Sequence, residues 1–165
     1  VKKDDLEWVR LADSIPPFAR KKRLHGRRRM GIKYEEKVKE HFEEAFPPKV
    51  GHPSFISGPW LEYKILNEGK VRYAQPDGLL VSLDTGVLTI CEIKYQHTAQ
   101  AYWQVMDKYL PLVERLFNTT NMWKIGVCEI VKWYDCAVVF PAHVTLRDCI
   151  ASVRPGEFGV HIWKP

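Results

Sequence analysis

Apolar residues recur along this chain with two different periods. Over residues 98–117, Ala99, Tyr102, Trp103, Met106, Tyr109, Leu110, Val113, Leu116 and Phe117 follow steps of three and four, which predicts one long amphipathic helix. Thr98 is its candidate N-cap, and Pro111 is expected to remove one backbone bond and kink it. Over residues 32–46, Ile32, Val38, Phe42, Ala45 and Phe46 mark the stripe of a second helix, stopped by Pro47-Pro48. Glu35 falls on that same stripe, where a carboxylate is costly unless paired or bound to a cation. A short helix is expected over residues 4–13, led by acidic residues, with Leu6, Val9 and Trp8 as its apolar side. Pro16-Pro17 ends it.

The other period is two. Residues 54–74 are rich in strand formers, Phe55, Ile56, Trp60, Leu61, Tyr63, Ile65, Val71 and Tyr73, with a turn at Asn67-Glu68-Gly69-Lys70. A strand is expected to run on through Pro76-Asp77-Gly78 into Leu79-Leu80-Val81, turn over Ser82 to Gly86, and return over residues 87–94. Two further strands are expected over residues 123–131 and 134–140. The last 25 residues carry short apolar runs broken by Pro155-Gly156 and Gly159, and are expected to pack along an edge. No internal repeat or low-complexity linker interrupts the chain.

Alternation within VLTICEIK places Glu92 and Lys94 on one face of their strand and Cys91 and Ile93 on the other. If residues 71–81 and 87–94 pair as a hairpin, Asp77 approaches Glu92 from the neighbouring strand. Two adjacent carboxylates repel, which raises at least one pKa unless a cation lies between them. Mg²⁺ suits such a pair, because it takes oxygen ligands, keeps several waters and commonly uses one or two carboxylates plus a substrate phosphate. Lys94 would stabilise negative charge or position an attacking water, and the Ile93 backbone carbonyl is a further candidate ligand. A solvated Glu–Lys pair on an exposed sheet face is the chemistry-free alternative.

Charge adds a second feature. Residues 1–33 hold eleven Lys/Arg against four Asp/Glu, a net +7, and the rest of the chain holds fourteen against sixteen, a net −2. Most of the excess lies in RKKRLHGRRR, where Arg20, Lys21, Lys22, Arg23, Arg27, Arg28 and Arg29 form a basic arm. Charges this dense repel, so the arm is expected to move freely until it grips phosphates; a solvated tail or a localisation signal is the alternative. The four cysteines, Cys91, Cys128, Cys136 and Cys149, have no zinc spacing and are expected to be buried reduced thiols in a cytoplasmic protein. His41, His52 and His97 have no metal-ligand partner at fixed spacing; packing or solvated roles are expected, although His97 could touch phosphate. No apolar run is long enough to span a membrane.

Pro76-Asp77 followed by Glu92-Ile93-Lys94 resembles the signature of the PD-(D/E)xK nuclease superfamily, which includes restriction endonucleases, phage exonucleases, junction resolvases and RecB-type nuclease domains. The resemblance covers roughly residues 31–131. It implies an α/β fold with a restriction-endonuclease-like core, a central mixed β-sheet flanked by helices in the order α-β-β-β-α-β. Residues 1–30 would then be an N-terminal helix and basic arm, and residues 31–165 the nuclease domain. It further implies a Mg²⁺-dependent deoxyribonuclease, with Mn²⁺ as substitute. Asp77 and Glu92 would bind the metal, Lys94 would assist, and Glu35 would complete the site from the first helix. Gln104 followed by Tyr109 is similar to the glutamine–tyrosine motif of exonuclease members, with the tyrosine one residue late; Gln96 and Gln100 compete for the glutamine's place. DNA is the implied partner, in phage or prophage recombination, repair or processing, and a homo-oligomer is compatible with the family. The alternatives are a DNA-binding accessory module without turnover, or an RNA-cleaving nuclease.

Overall fold

The computed structural model describes residues 1–16, 27–117, 122–135 and 143–165. Residues 20–26 of the basic arm and residues 136–140 of the strand expected over 134–140 lie outside these. Among the described residues no helix is long and apolar enough to cross a membrane.

The chain is α/β. Strand β1 (Leu6–Leu11) precedes helix α1 (Arg27–Ala45), followed by β2 (Ser54–Ser57), β3 (Leu61–Ile65), β4 (Arg72–Ala74), β5 (Gly78–Ser82) and β6 (Val87–Gln96). A long helical stretch follows: α2 (Ala99–Gln104), a π turn over Val105–Tyr109, and α3 (Leu110–Phe117). Strands β7 (Lys124–Trp133), β8 (Val144–Leu146) and β9 (Phe158–Ile162) complete it. Six strands form one mixed sheet in the order β2-β5-β6-β7-β9-β8, and β1, β3 and β4 form a small antiparallel sheet in the order β1-β3-β4. The three strands β2, β5 and β6 pair antiparallel, whereas β6–β7, β7–β9 and β8–β9 are parallel.

Strand β6 is buried on both faces from Leu88 to Ile93. Leu88 and Ile90 point to a core built with Tyr102, Val105, Tyr109, Leu112 and Val113 of the long helix and with Leu6, Leu61 and Tyr63 of the small sheet. Cys91 and Ile93 point the other way, onto Tyr34, Val38 and Phe42 of α1. The central sheet is therefore covered by different layers on its two faces. Glu92 and Lys94 share the face of Leu88 and Ile90.

Several expectations need correction. Residues 6–11 are a strand rather than part of a helix. A ten-residue helix is marginal alone, whereas here Val9 pairs with Tyr63 and Leu11 with Leu61. Two ion pairs tie the strands across the ladder: Arg10 to Glu62 at 2.8 Å, and Lys64 to Glu7 at 3.3 Å. Helix α1 begins at Arg27, five residues before the expected start, and so takes in the end of the basic stretch. Its buried stripe is Tyr34, Val38 and Phe42, while Ile32 and Ala45 are exposed. No strand runs through residues 71–81. Pro76 cannot donate to a ladder, and around it the chain leaves the small sheet at Ala74 and enters the large one at Gly78. Tyr134 and Asp135 lie beyond the end of β7. The C-terminal residues do lie at an edge of the sheet, and they do so as strands β9 and β8. Cys91 and Cys128 are buried register partners, with burial pushing the Cys91 thiol up to about 12, whereas Cys149 is exposed.

Gly78 shows how closely this crossing is packed. A Cβ at this position would stand 2.4 Å from the ring of Phe55. Gly78→Ala is expected to cost about 1–3 kcal/mol, as overpacking of a filled core does. Chemical denaturation checks this; an unchanged midpoint would mean the Phe55 ring gives way freely.

Candidate active site

The β5–β6 ladder pairs Gly78 with Cys91, so the next position, at the mouth of the sheet crossing, sets Asp77 beside Glu92. The Ile93 backbone N–H donates to Asp77 Oδ2 at 2.7 Å, which fixes the carboxylate against β6. Glu92 is 1% exposed. Its Oε1 meets Lys94 Nζ at 2.9 Å, and its Oε2 is buried with no hydrogen-bond partner among the described residues. From the first helix, Glu35 is half-buried and ion-paired with Lys39 one turn along.

The electrostatics follow from this crowding. Burial pushes Asp77 up to about 8, with Glu92 and then Glu35 adding to the rise, and the Ile93 bond and Lys39 opposing it. Burial also raises Glu92, against the pull of Lys94. Burial alone would lower Lys94, but Glu92 outweighs it, and Asp77 and Glu35 add to the rise, so the ammonium stays charged. Asp77, Glu92, Lys94 and Glu35 thus sense one another.

A chain of hydrogen bonds leads away from Lys94. Its Nζ donates to Gln104 Oε1 at 3.2 Å, and Gln104 Nε2 donates to the Tyr109 hydroxyl at 2.9 Å. In an α-helix, residues five apart do not stack. Here Leu110 N–H reaches the Val105 carbonyl, five residues back. The π turn inserts one extra residue and brings Gln104 and Tyr109 onto one face, so the tyrosine that is one residue late in sequence is in contact in space. Pro111 lies just past this widened turn, and α3 runs on through it. Thr98 precedes α2 in extended conformation without a side-chain capping bond. Gln96 and Gln100 are exposed, and of the three glutamines Gln104 is the one bonded to Lys94.

One residue was not singled out from sequence. Glu129 is fully buried on β7, in register with Glu92 on β6, and its Oε2 lies 2.7 Å from His97 Nδ1. Burial, with Glu92 adding, pushes Glu129 up to about 8, and burial lowers His97. Both shifts favour a neutral pair holding one proton, which spares Glu92 a third carboxylate charge. His97 is thus a core histidine with a buried acid partner. The signal for Glu129 is a repeated triplet: Cys91-Glu92-Ile93 and Cys128-Glu129-Ile130 lie side by side in the parallel ladder. His41 stacks on Trp163 at 4.8 Å. Arg29 is exposed in the first turn of α1, and Arg20, Lys21, Lys22 and Arg23 lie outside the described residues.

Among the described residues no group of three or more His, Cys, Asp and Glu side chains is close enough to hold a metal ion. The donors that do converge, Asp77 and the unpartnered Oε2 of Glu92, still fit a hard divalent cation. Mg²⁺ commonly uses only one or two carboxylates and completes its shell with water and phosphate. Comparison of the chain with protein-family models, with curated proteins and with solved structures finds no match.

Proposed function

We propose that this chain is a divalent-cation-dependent deoxyribonuclease, directed to DNA ends or branched structures, on a restriction-endonuclease-like core. The fold supports this in outline. Along the large sheet the order is helix α1, three antiparallel strands β2, β5 and β6, the long helix, and then β7 parallel to β6. The observation that carries the reading is the convergence of Asp77, Glu92 and Lys94 where the chain crosses between sheets.

Asp77 and Glu92 would hold the cation, with Glu35 from α1 adding negative potential and the Ile93 carbonyl as a further donor. When bound there, a divalent cation supplies Lewis-acid polarisation of a phosphoryl oxygen and lowers the pKa of a bound water. Lys94 has three N–H donors, of which Glu92 and Gln104 take two. The third is left for a phosphoryl oxygen or the attacking water. Gln104 and Tyr109 hold the ammonium in that direction. Burial, with Glu92 adding, raises the pKa of the Tyr109 hydroxyl, so it stays a protonated, neutral partner for the Gln104 amide.

The test is incubation of the chain with supercoiled plasmid, linear duplex, branched DNA and matched RNA, in Mg²⁺, Mn²⁺ or EDTA. Cutting of DNA in Mg²⁺ or Mn²⁺, abolished by EDTA, is the expected result. A second reading, a DNA-binding module of the same fold without turnover, draws on the lack of a three-member metal-binding group among the described residues. Tight DNA binding with no cutting of any substrate would favour it. RNA cut as fast as DNA would move the substrate class.

Within this reading, Tyr109→Phe removes the partner of the Gln104 amide and loosens Lys94. A loss of about 1 kcal/mol in stability and a fall of about tenfold in cleavage are expected, the scale of one hydrogen bond. Thermal melts and single-turnover rates on the same preparation measure both. Equal rates for the two proteins would mean that Lys94 is oriented without Tyr109.

A further inference from the structure

On the opposite side of β6 from Lys94 lies a second polar feature. A cavity of about 200 Å³ opens between α1 and the ends of β6 and β7, lined by Met30, Lys33, Tyr34, Lys37, Tyr95, Lys132 and Pro165. Among the described residues no aspartate or glutamate lines it. Lys33 and Lys37 stand one helical turn apart, a spacing at which like charges destabilise a helix. Among the described residues neither they, Lys132 nor the nearby Lys164 forms an ion pair. Two of the lining residues are aromatic, and Tyr34 is held in place. Tyr34 is buried, donates its hydroxyl to the Trp163 carbonyl at 2.9 Å, and meets Tyr95 edge-on at 5.8 Å. Lys132 Nζ sits 5.4 Å from the Tyr95 ring centre and 5.8 Å from that of Trp133, and Lys164 Nζ sits 4.5 Å from that of Trp133. The rings direct these ammonium groups instead of neutralising them.

We propose that this recess binds one nucleotide of a single nucleic-acid strand, its phosphate on Lys33, Lys37 and Lys132 and its sugar and base against Tyr34 and Tyr95. Three lysines without an ion-pair partner among the described residues favour an anion, and cations interleaved with aromatic rings are the chemistry that grips single strands. Bases stack on aromatic rings only when unpaired, so the recess favours a single strand over a duplex. Consecutive residues Lys94 and Tyr95 point to opposite faces of β6, so one strand end serves both the carboxylate cluster and the recess. The choice of a nucleic acid among polyanions rests on the nuclease reading.

The test is fluorescence anisotropy with labelled oligothymidylate in EDTA, where nothing is cut. It uses the full chain, the charge reversal Lys37→Glu/Lys132→Glu, and the conservative Lys37→Arg/Lys132→Arg. The basic arm is common to all three, so differences isolate the recess. The charge reversal is expected to weaken binding at least tenfold and to make the salt dependence shallower by about 0.7 per lost phosphate contact. The arginine variant is expected to retain binding, with circular dichroism confirming that all three are folded. Unchanged affinity in the charge reversal overturns the proposal, as does equal loss for strand and duplex, or competition by polyglutamate as strong as by oligothymidylate. If no DNA is ever cut but the charge reversal releases oligothymidylate, the recess stands and the nuclease reading falls. If DNA is cut and the charge reversal binds and cuts normally, the recess falls alone.

Discussion

Lys94→Ala is expected to slow DNA cleavage about 10²–10³-fold while the chain stays folded, the scale of losing one charge-stabilising donor from a reaction site. Lys94 is the one cation whose Nζ touches the buried Glu92 carboxylate among the described residues. Removing it takes away the donor that the nuclease reading assigns to the substrate and drives Glu92 further toward its protonated form. The Lys94 side chain keeps 32% of its exposure. The loss of stability should therefore stay well below the about 3–5 kcal/mol of breaking a fully buried pair. Asp77→Asn should bring a similar loss of rate for a different reason, since it removes a carboxylate donor and leaves Lys94 in place. Single-turnover cleavage of labelled duplex, with circular dichroism alongside, separates rate from folding. A rate within threefold of the unaltered chain for both variants would remove the basis for the nuclease reading.

In metal-free buffer the chain should lose stability as pH rises from about 6.5 to 8, and Mg²⁺ or Mn²⁺ should restore it. Asp77 is pushed up to about 8 from an ordinary 3.8, and Glu129 up to about 8 from 4.5. Through this window the folded chain keeps protons that the unfolded chain has already lost, so stability falls as pH rises and is fully present only at low pH. His97 works the other way, because burial lowers its pKa, but only below its ordinary 6.5. Two such protons give a slope of at most about 3 kcal/mol per pH unit. Across the window this amounts to on the order of 2–3 kcal/mol, or about 5–10 °C in Tm for a chain of this size. Asp77→Asn should flatten the slope and abolish the rescue by cation. A melting temperature that is level from pH 6.5 to 8 without metal would mean the carboxylates are not held protonated by the fold. This readout does not depend on any activity.

The site was partly legible in the chain and partly hidden. Strict alternation in Val87 to Lys94 told which face Glu92 and Lys94 share, because a strand's side chains can only alternate. Proximity of Asp77 followed from the short turn to β6, although the strand expected to carry it does not exist there. Residues 6–11 misled, because acidic residues and spaced apolar ones suit a short helix locally, while an open edge on β3 rewards a strand. Glu35 was legible as an acid near the buried stripe of α1, although the stripe itself is Tyr34, Val38 and Phe42.

By itself, the order of residues determined the two helices that flank the central sheet, its strands β6 and β7, and the side on which the acid–lysine pair stands. These depend on period and on short connections, which are local. Only the tertiary structure decided that Gln104 meets Tyr109 across a widened helical turn, that Glu129 lies beside Glu92, and that Lys33, Lys37 and Lys132 gather around Tyr95. Those contacts depend on register between distant strands and on one extra residue in a helix. They arise from packing that no local pattern encodes.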